Sequence, residues 1–378
     1  MGELNTEVQG VPTNGTRRLS LPLLAGEWVD VRSAEEILAT LDKDGLLDGM
    51  PFMPEMLQYC GKTLRVFKRA HKTCDTVYQS GSRTLADTVH LEGSRCDGAA
   101  HGGCQAECML FWKAAWLKPR GEMPSTGARH SVASCNSDAL QRATQTGPRY
   151  SCQATHLLSA TKPLKRWDVR QYVEDYRSGN VDVTTFLKGA LYRFSAYAVR
   201  RTHALGGYVA LSEQLSQWMM RAYDTLQARL PDGVPYPRRN GAIPKGQRTP
   251  PGDDVTAFRV GSLVRVKSYA EILATLDTEN RNRGLYFDAE NVPYCGKELR
   301  VRSLVDHIVN EQTGEMLHFK TPALILEGAY CRGTYSDKRM FCPRAVYPYW
   351  RTAWLELLEE PHTIQPERAA HFASPAGA

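Results

Sequence analysis

Sulfur ligands are concentrated between residues 90 and 116 of this 378-residue chain. Cys96, Cys104 and Cys108 lie within thirteen residues of one another, and Cys74 lies a short way upstream. Thiolates are strong ligands for zinc and iron, so three or four of them at this spacing predict a metal site. The predicted metal ligands are therefore Cys74, Cys96, Cys104 and Cys108.

The identity of the metal is left open by the spacing. It matches neither the paired C-x-x-C of a zinc ribbon nor the common ferredoxin patterns, so an iron–sulfur cluster and a zinc ion are both candidate cofactors. Gly93, Gly98, Gly102 and Gly103 would let the backbone wrap around an ion and direct N–H groups at sulfur. His101 could replace one thiolate as a ligand. Thiols regulated by oxidation, with no metal, are the third interpretation.

Cys152 is the candidate catalytic residue. It begins a stretch predicted to be helical, where the helix dipole would lower the thiol pKa, although a fifth metal ligand or a small buried residue are alternatives. Cys60 and Cys295 occupy identical Tyr-Cys-Gly-Lys settings and are predicted to be buried structural thiols. Cys135 lies in a polar stretch and is expected to be incidental. His90 is expected to face solvent from a strand.

The chain contains an internal sequence repeat. The segment GEWVDVRSAEEILATLD near the start returns 235 positions later as GSLVRVKSYAEILATLD, and the similarity extends over about a hundred residues. We call residues 26–118 the first copy and residues 261–357 the second copy. The repeat predicts one small domain that occurs twice.

The second copy keeps only part of the cysteine set. Cys331 occupies the position of Cys96, and, after a three-residue insertion, Cys342 matches Cys104. Valines occupy the positions of the other two predicted ligands. The same domain is thus expected to fold without the full set, and this asymmetry favours a functional site in the first copy over a structural one.

Short strands and tight turns dominate each copy. Alternating apolar residues predict strands at Trp28–Val31 and Leu263–Val266. Ser33 with Glu36, and Ser268 with Glu271, match a capping box at a helix start. A hairpin is predicted around Gly314 and a separate strand over residues 321–326, and a Trp-x-x-x-Trp at helical spacing closes each copy. Elements of this length and spacing predict a small SH3-like β-barrel.

The remaining segments are predicted to position the two barrels. An apolar stripe from Phe186 to Ala198 has helical period and is expected to pack between the barrels rather than on a membrane surface. The predicted fold class is α+β, with two repeated SH3-like barrels joined by a helical segment. The predicted segments outside the copies are a flexible N-terminus (1–25), a polar linker (119–150), the helical segment (151–230), a Pro/Gly-rich linker (231–260) and a disordered tail (358–378).

Composition narrows the class of protein. Hydrophobic residues make up 42% and charged residues 23%, which is typical of a globular chain. The net charge is +6, but the basic residues form no concentrated patch in the sequence, so a nucleic-acid partner is not expected. There is no apolar run long enough for a membrane span and no signal peptide, so a cytoplasmic location is expected, where cysteines serve as ligands more often than as disulfides.

The function predicted from these features is metal binding. The sequence has none of the common phosphate-binding, dinucleotide-binding, serine-hydrolase or zinc-protease motifs. We therefore predict an iron–sulfur or zinc protein that performs redox or sulfur chemistry on a small molecule or peptide. The alternative is a non-catalytic, zinc-stapled scaffold that binds a protein or nucleic acid.

Overall fold

The computed structural model describes residues 23–120, 136–204 and 209–359. Helices and small antiparallel sheets alternate along these residues, so the fold class is α+β. Most of the predicted flexible N-terminus, most of the predicted tail and Cys135 lie outside the described residues.

The first copy folds around a five-stranded antiparallel sheet with strand order β8-β7-β4-β1-β9. Its strands are β1 (Trp28–Val31), β2 (Leu46–Leu47), β3 (Met50–Pro51), β4 (Thr63–Arg69), β5 (Lys72–Cys74), β6 (Ser82–Thr84), β7 (Thr88–Leu91), β8 (Trp112–Lys113) and β9 (Leu117–Pro119). Its helices are α1 (Ala34–Leu38) and the 3-10 helices Pro54–Tyr59 and Ala114–Trp116.

Helices dominate the segment between the copies. Its elements are α2 (Ser137–Ala143), β10 (Gln145–Thr146), β11 (Arg149–Tyr150), β12 (Lys162–Leu164), α3 (Arg170–Arg177), α4 (Val183–Ala204), α5 (Val209–Gln227) and the 3-10 helix Val255–Ala257. Helix α2 lies in the predicted polar linker and was missed there; its short apolar face buries only Leu140, and Asn136 caps its start by accepting from the Ala139 N–H. Among the described helices, none has the length and apolarity that a membrane crossing requires.

The second copy folds around a four-stranded antiparallel sheet with strand order β17-β16-β13-β18. Its elements are β13 (Leu263–Val266), α6 (Tyr269–Thr275), β14 (Arg281–Asn282), β15 (Leu285–Tyr286), the 3-10 helix Ala289–Tyr294, β16 (Glu298–Val309), β17 (Met316–Leu326), the 3-10 helix Thr352–Trp354 and β18 (Leu355–Glu359). The predicted hairpin at Gly314 is present, and the strand predicted separately at residues 321–326 is the continuation of β17.

Strand pairing is the same at positions 235 apart in the two copies. Trp28 pairs with Arg65 in the first copy, and Leu263 pairs with Arg300 in the second. The predicted capping boxes are confirmed in both: the Ser33 hydroxyl accepts from the Glu36 N–H at 3.2 Å, and the equivalent bond at α6 is 3.3 Å. The local sequence therefore specifies the same first strand and the same capped first helix in each copy.

Each copy has its own hydrophobic core, closed by a tryptophan pair. Trp112 and Trp116 are fully buried in the first copy, and Trp350 and Trp354 are fully buried in the second. Their predicted helical spacing is not observed, because an extended residue precedes a single 3-10 turn in each copy. The two indoles still reach one core because the chain turns between them.

Helix α4 presents part of its predicted apolar stripe to solvent. Tyr192, Ala196 and Val199 form its buried face, whereas Phe194 is 70% and Tyr197 is 57% exposed. The expectation that the stripe is packed in the interior holds for Phe186 and Leu191, which contact buried clusters, but not for these exposed residues. Helical period alone did not distinguish the two apolar faces of this helix.

One buried ion pair joins the three parts of the chain. The Lys72 ammonium, on β5, donates to Asp175 of α3 at 2.5 Å and to the Met340 carbonyl at 2.8 Å. Both charged side chains are completely buried. The first copy, the helical segment and the second copy therefore share one polar contact in the interior.

Candidate metal centre

A tight loop in the first copy places Cys96 beside His101. The Gly98 carbonyl accepts from the N–H groups of His101 at 3.0 Å and Gly103 at 2.9 Å, which turns the chain back on itself. Gly98 has φ +73°, and a Cβ there would lie 2.1 Å from the Cys104 carbonyl oxygen. Only glycine fits this turn, because both the conformation and the space exclude a side chain.

Three potential ligand atoms converge at this loop. The Cys96 sulfur lies 3.3 Å from His101 Nε2, and His101 Nδ1 lies 3.9 Å from Glu55 Oε1. Glu55 comes from the 3-10 helix Pro54–Tyr59. Ligand atoms of all three residues lie within 4.8 Å of one another, and no other group of three or more His, Cys, Asp or Glu meets this distance in the described part of the chain. This group could bind a metal ion.

The polar atoms of this group are buried and poorly satisfied. The Glu55 and His101 side chains are 2% and 1% exposed. Both Glu55 carboxyl oxygens and His101 Nδ1 lack a hydrogen-bond partner among the described residues. Buried polar groups normally have partners, because leaving one unsatisfied costs about 1 to 3 kcal/mol. A cation that all three residues bind would remove this penalty.

Burial also sets the protonation of the group. It raises the pKa of the Glu55 carboxyl and of the Cys96 thiol and lowers the pKa of His101. All three shifts favour the neutral form, because the loss of water outweighs the interactions that stabilise the charged forms. A divalent ion reverses this preference, because it binds thiolate, carboxylate and neutral imidazole.

The equivalent glutamate of the second copy is fully satisfied. Glu290, 235 positions after Glu55, accepts from the backbone N–H groups of Arg332 and Tyr335. Ser336 occupies the position 235 residues after His101. In the second copy the carboxyl group of Glu290 therefore holds a loop by hydrogen bonds to its backbone. In the first copy the carboxyl group of Glu55 lies instead beside the Cys96 thiol and the His101 imidazole.

The three residues open onto a cavity of about 420 Å³. Its wall comes from the first copy, from residues 152–154 and from the β16–β17 hairpin of the second copy. The wall is largely apolar, and besides Glu55 it contains the ion pair of Arg344 and Glu311, in which Arg344 donates to Glu311 at 2.9 Å and also to Thr76 at 2.8 Å. A small molecule in this cavity would contact the three ligand residues directly.

Four of the five predicted site cysteines lie in the wall of this cavity. Cys104, Cys108 and Cys152 line it together with Cys96. Their sulfurs do not join the Glu55–Cys96–His101 group within 4.8 Å. Cys104 instead accepts a hydrogen bond from the Val309 N–H at 3.3 Å. The structure thus brings four cysteines to one cavity but only one of them to the convergent group.

Cys74 lies outside this cavity wall. Its thiol interacts with Cys342 of the second copy, and this interaction, helped by the positive charges of Arg344 and Arg339, lowers the pKa of Cys74. Both thiols are buried. The predicted ligand Cys74 therefore lies beside a cysteine of the second copy and not in the convergent group around Cys96.

Two expectations about individual residues are corrected. Cys152 begins a series of turns rather than an α-helix, and burial raises its pKa to about 12 instead of lowering it. His90 is completely buried rather than exposed; its Nδ1–H donates to the Leu110 carbonyl at 2.9 Å, and burial lowers its pKa to about 3. His90 is a neutral structural residue of β7.

Glu55 was missed by the sequence analysis. The available signal was its apolar setting between Met53 and Met56, together with its counterpart Glu290 in the second copy. An acidic residue retained in both copies among apolar neighbours indicates a buried carboxyl group. Its distance of 41 positions from Cys96 concealed the pairing.

Comparison of the chain with protein-family models, with curated proteins and with solved structures finds no match. The function must therefore be argued from the geometry of the site.

Proposed function

We propose that this protein binds one zinc ion through Glu55, Cys96 and His101 and presents it to a small molecule in the adjoining cavity. The observation that carries the proposal is the convergence of three buried ligand atoms within 4.8 Å. The unsatisfied Glu55 and His101 atoms support it independently. Three protein ligands with a fourth position open to a cavity are typical of catalytic rather than structural zinc.

The donor types favour zinc over an iron–sulfur cluster. One thiolate, one imidazole and one carboxylate suit a borderline divalent ion, whereas clusters are bound by several thiolates. Cys104 and Cys108 are candidates for a fourth ligand, because their sulfurs lie in the same cavity wall. A site built from all four predicted ligands, Cys74, Cys96, Cys104 and Cys108, would require the Cys74 side chain to give up its interaction with Cys342.

The residues of the chain have distinct parts in this proposal. A bound zinc ion would supply Lewis acidity to an oxygen or sulfur atom of the molecule in the cavity. The apolar wall would exclude water from that molecule, and Arg344 would orient a polar group at its far end. Cys152 would act as a thiol hydrogen-bond donor, since its pKa near 12 keeps it protonated at neutral pH.

A second candidate function is thiol catalysis without metal. The distance of 3.3 Å between the Cys96 sulfur and His101 Nε2 is compatible with a nucleophile and its base. Against it, the Glu55 oxygen lies 3.9 Å from Nδ1, too far to orient the ring by a hydrogen bond. Burial also keeps Cys96 in the thiol form, by raising its pKa.

The repeat supports a proposal about architecture as well. We propose that residues 26–118 and 261–357 are two SH3-like barrels of common origin, joined by the helical segment 151–230 with linkers on either side. The identical pairing register at positions 235 apart supports this. An experimental structure in which the two copies fail to superpose would contradict it.

Metal analysis of matched variants tests the zinc proposal. We expect the full-length protein to contain one equivalent of zinc and to give the visible spectrum of a tetrahedral thiolate complex when loaded with Co²⁺. Glu55→Gln and Cys96→Ser should each lower zinc affinity by more than about 100-fold, because they remove direct ligands. The matched controls Glu290→Gln and Cys331→Ser should keep it.

The same experiment can reject the proposal. A wild-type protein that neither contains zinc nor binds it in calorimetric titration would remove the metal function. Reaction of metal-free protein with iodoacetamide at Cys96, abolished by His101→Asn, would then favour the thiol-catalysis alternative. Equal loss of zinc in Cys96→Ser and Cys331→Ser would show that the effect is not specific to the first copy.

A further inference from the structure

Helix α4 carries a continuous apolar stripe that the rest of the described chain does not cover. Val183, Leu187, Phe194 and Tyr197 are 56%, 52%, 70% and 57% exposed. With the exposed residues Ala190 and Arg201 they follow one another at alternating intervals of four and three positions. We call this set of six residues the α4 seam. Alternation of four and three is the spacing by which one helix packs against another helix.

The opposite face of α4 already has its partners. Tyr192 and Val199 are buried in the core of the second copy. Gly189 allows close packing there, since a Cβ at this position would lie 2.8 Å from a ring carbon of Phe341. At 100° per residue the α4 seam lies half a turn away from this face. The seam is therefore not part of the packing that holds α4 in place.

Helix α5 extends the same outward surface. Leu211, Leu215 and Trp218 are 64%, 41% and 65% exposed, again at intervals of four and three positions. Met220 and Tyr223 on its other face join the core that also buries the inner face of α4. Two neighbouring helices thus turn apolar faces outward, which is a larger apolar surface than scattered exposed residues would form.

We propose that a second copy of this chain docks on the α4 seam, with the two α4 helices antiparallel. The seam is self-complementary in this orientation. A two-fold axis at position 192 would place Ala190 of one copy opposite Phe194 of the other and Leu187 opposite Tyr197. The small side chain then faces the large one, which is the arrangement that fills a helix–helix interface. An interface of this kind contacts itself, as a two-fold dimer requires.

The charges select the antiparallel orientation. No acidic residue occurs between Val183 and Ala204, whereas Asp182 precedes the helix and Arg201 lies at its other end. Antiparallel docking places Asp182 of each copy beside Arg201 of the other. Parallel docking would place the two Arg201 side chains together, and like charges at an interface are unfavourable. The antiparallel helix dipoles add to the same preference.

Sedimentation velocity of the full-length protein over a range of concentrations tests this interface. We expect reversible dimers, and Phe194→Glu should raise the dissociation constant by about 30-fold or more, because a charge would be buried at the centre of the seam. Val260→Glu is the control, since Val260 is 64% exposed and lies outside the helices. It should leave the dissociation constant unchanged.

Charge reversal tests the orientation. Arg201→Glu alone and Asp182→Arg alone should each weaken the dimer, because each brings like charges together at both ends. An equimolar mixture of the two variants should form heterodimers, because opposite charges then meet at both ends. Circular dichroism of each variant verifies that α4 remains helical, which matters because Asp182 also accepts from the Thr185 N–H.

Three outcomes would overturn the proposal. The first is a wild-type protein that stays monomeric at high micromolar concentration, including one that instead sediments with anionic lipid vesicles. The second is a Phe194→Glu variant that dimerises as the wild type does. The third is a mixture of charge variants no more associated than its components, which would reject the antiparallel pairing.

Discussion

The buried carboxyl group of Glu290 should make the stability of this protein fall as the pH rises. Burial and the neighbouring Asp288 raise its pKa to about 7, from an ordinary value of 4.5. The hydrogen bonds from the Arg332 and Tyr335 N–H groups and the positive charge of Arg339 oppose this shift but do not cancel it. The folded protein therefore holds a proton that the unfolded chain releases. A group of this kind stabilises the fold fully below pH 4.5, and its contribution is lost as the pH rises to about 7.

The size of the effect follows from the shift. One pKa unit corresponds to about 1.4 kcal/mol, so the whole window is worth about 3 kcal/mol, of which about 2 kcal/mol falls between pH 5 and pH 7.5. The assay is urea unfolding followed by tryptophan fluorescence at several pH values. Glu290→Gln keeps an acceptor oxygen but cannot titrate. The difference in unfolding free energy between wild type and Glu290→Gln isolates this group from others, including Lys68 and Cys331 nearby, that titrate or carry charge.

We expect the advantage of the wild type over Glu290→Gln to shrink by about 2 kcal/mol from pH 5 to pH 7.5. A difference that stays constant within about 0.5 kcal/mol across this range would refute the reasoning. It would mean that Glu290 is either ionised throughout or much better solvated than its burial indicates.

Three further predictions concern stability and loop geometry. Asp175→Asn should destabilise the fold by about 3 to 5 kcal/mol in chemical denaturation, because it leaves the buried Lys72 ammonium without its carboxylate; replacing both by apolar residues should cost less. Gly98→Ala should cost about 2 to 4 kcal/mol, whereas Gly61→Ala, at a similar positive φ but with no atom within 4 Å of the added Cβ, should cost about 1 kcal/mol. Ser33→Ala should lower the thermal midpoint by an amount equivalent to about 1 kcal/mol, and an unchanged midpoint would mean that the α1 cap contributes nothing.

Local signals in the sequence predicted several of the longer elements correctly. The strands at Trp28–Val31 and Leu263–Val266, both capping boxes and the hairpin at Gly314 follow from alternation, side-chain chemistry and glycine, and these depend on a few neighbouring residues. Helix α2 was missed because only one of its seven residues is buried, so it has almost no apolar period.

The candidate site could be predicted only in part. Cys96 and His101 are five positions apart and were recognised as candidate ligands, but Glu55 reaches them through the packing of a 3-10 helix that no local pattern specifies. Cys74 lies beside Cys342 and outside the cavity wall that holds the other predicted ligands, and its place in the sequence gave no sign of this. The exposure of α4 was mispredicted for a related reason, since an apolar period does not reveal which of two apolar faces meets the core.

The Lys72 ammonium limits how this chain can be divided. Its two strongest acceptors belong to a helix a hundred positions away and to a loop in the other copy. A fragment that ends after the first copy would retain the lysine and lose both acceptors, together with residues that bury its ammonium group. Truncation and domain exchange should therefore keep Lys72, Asp175 and Met340 on the same molecule, even though each copy has a hydrophobic core of its own.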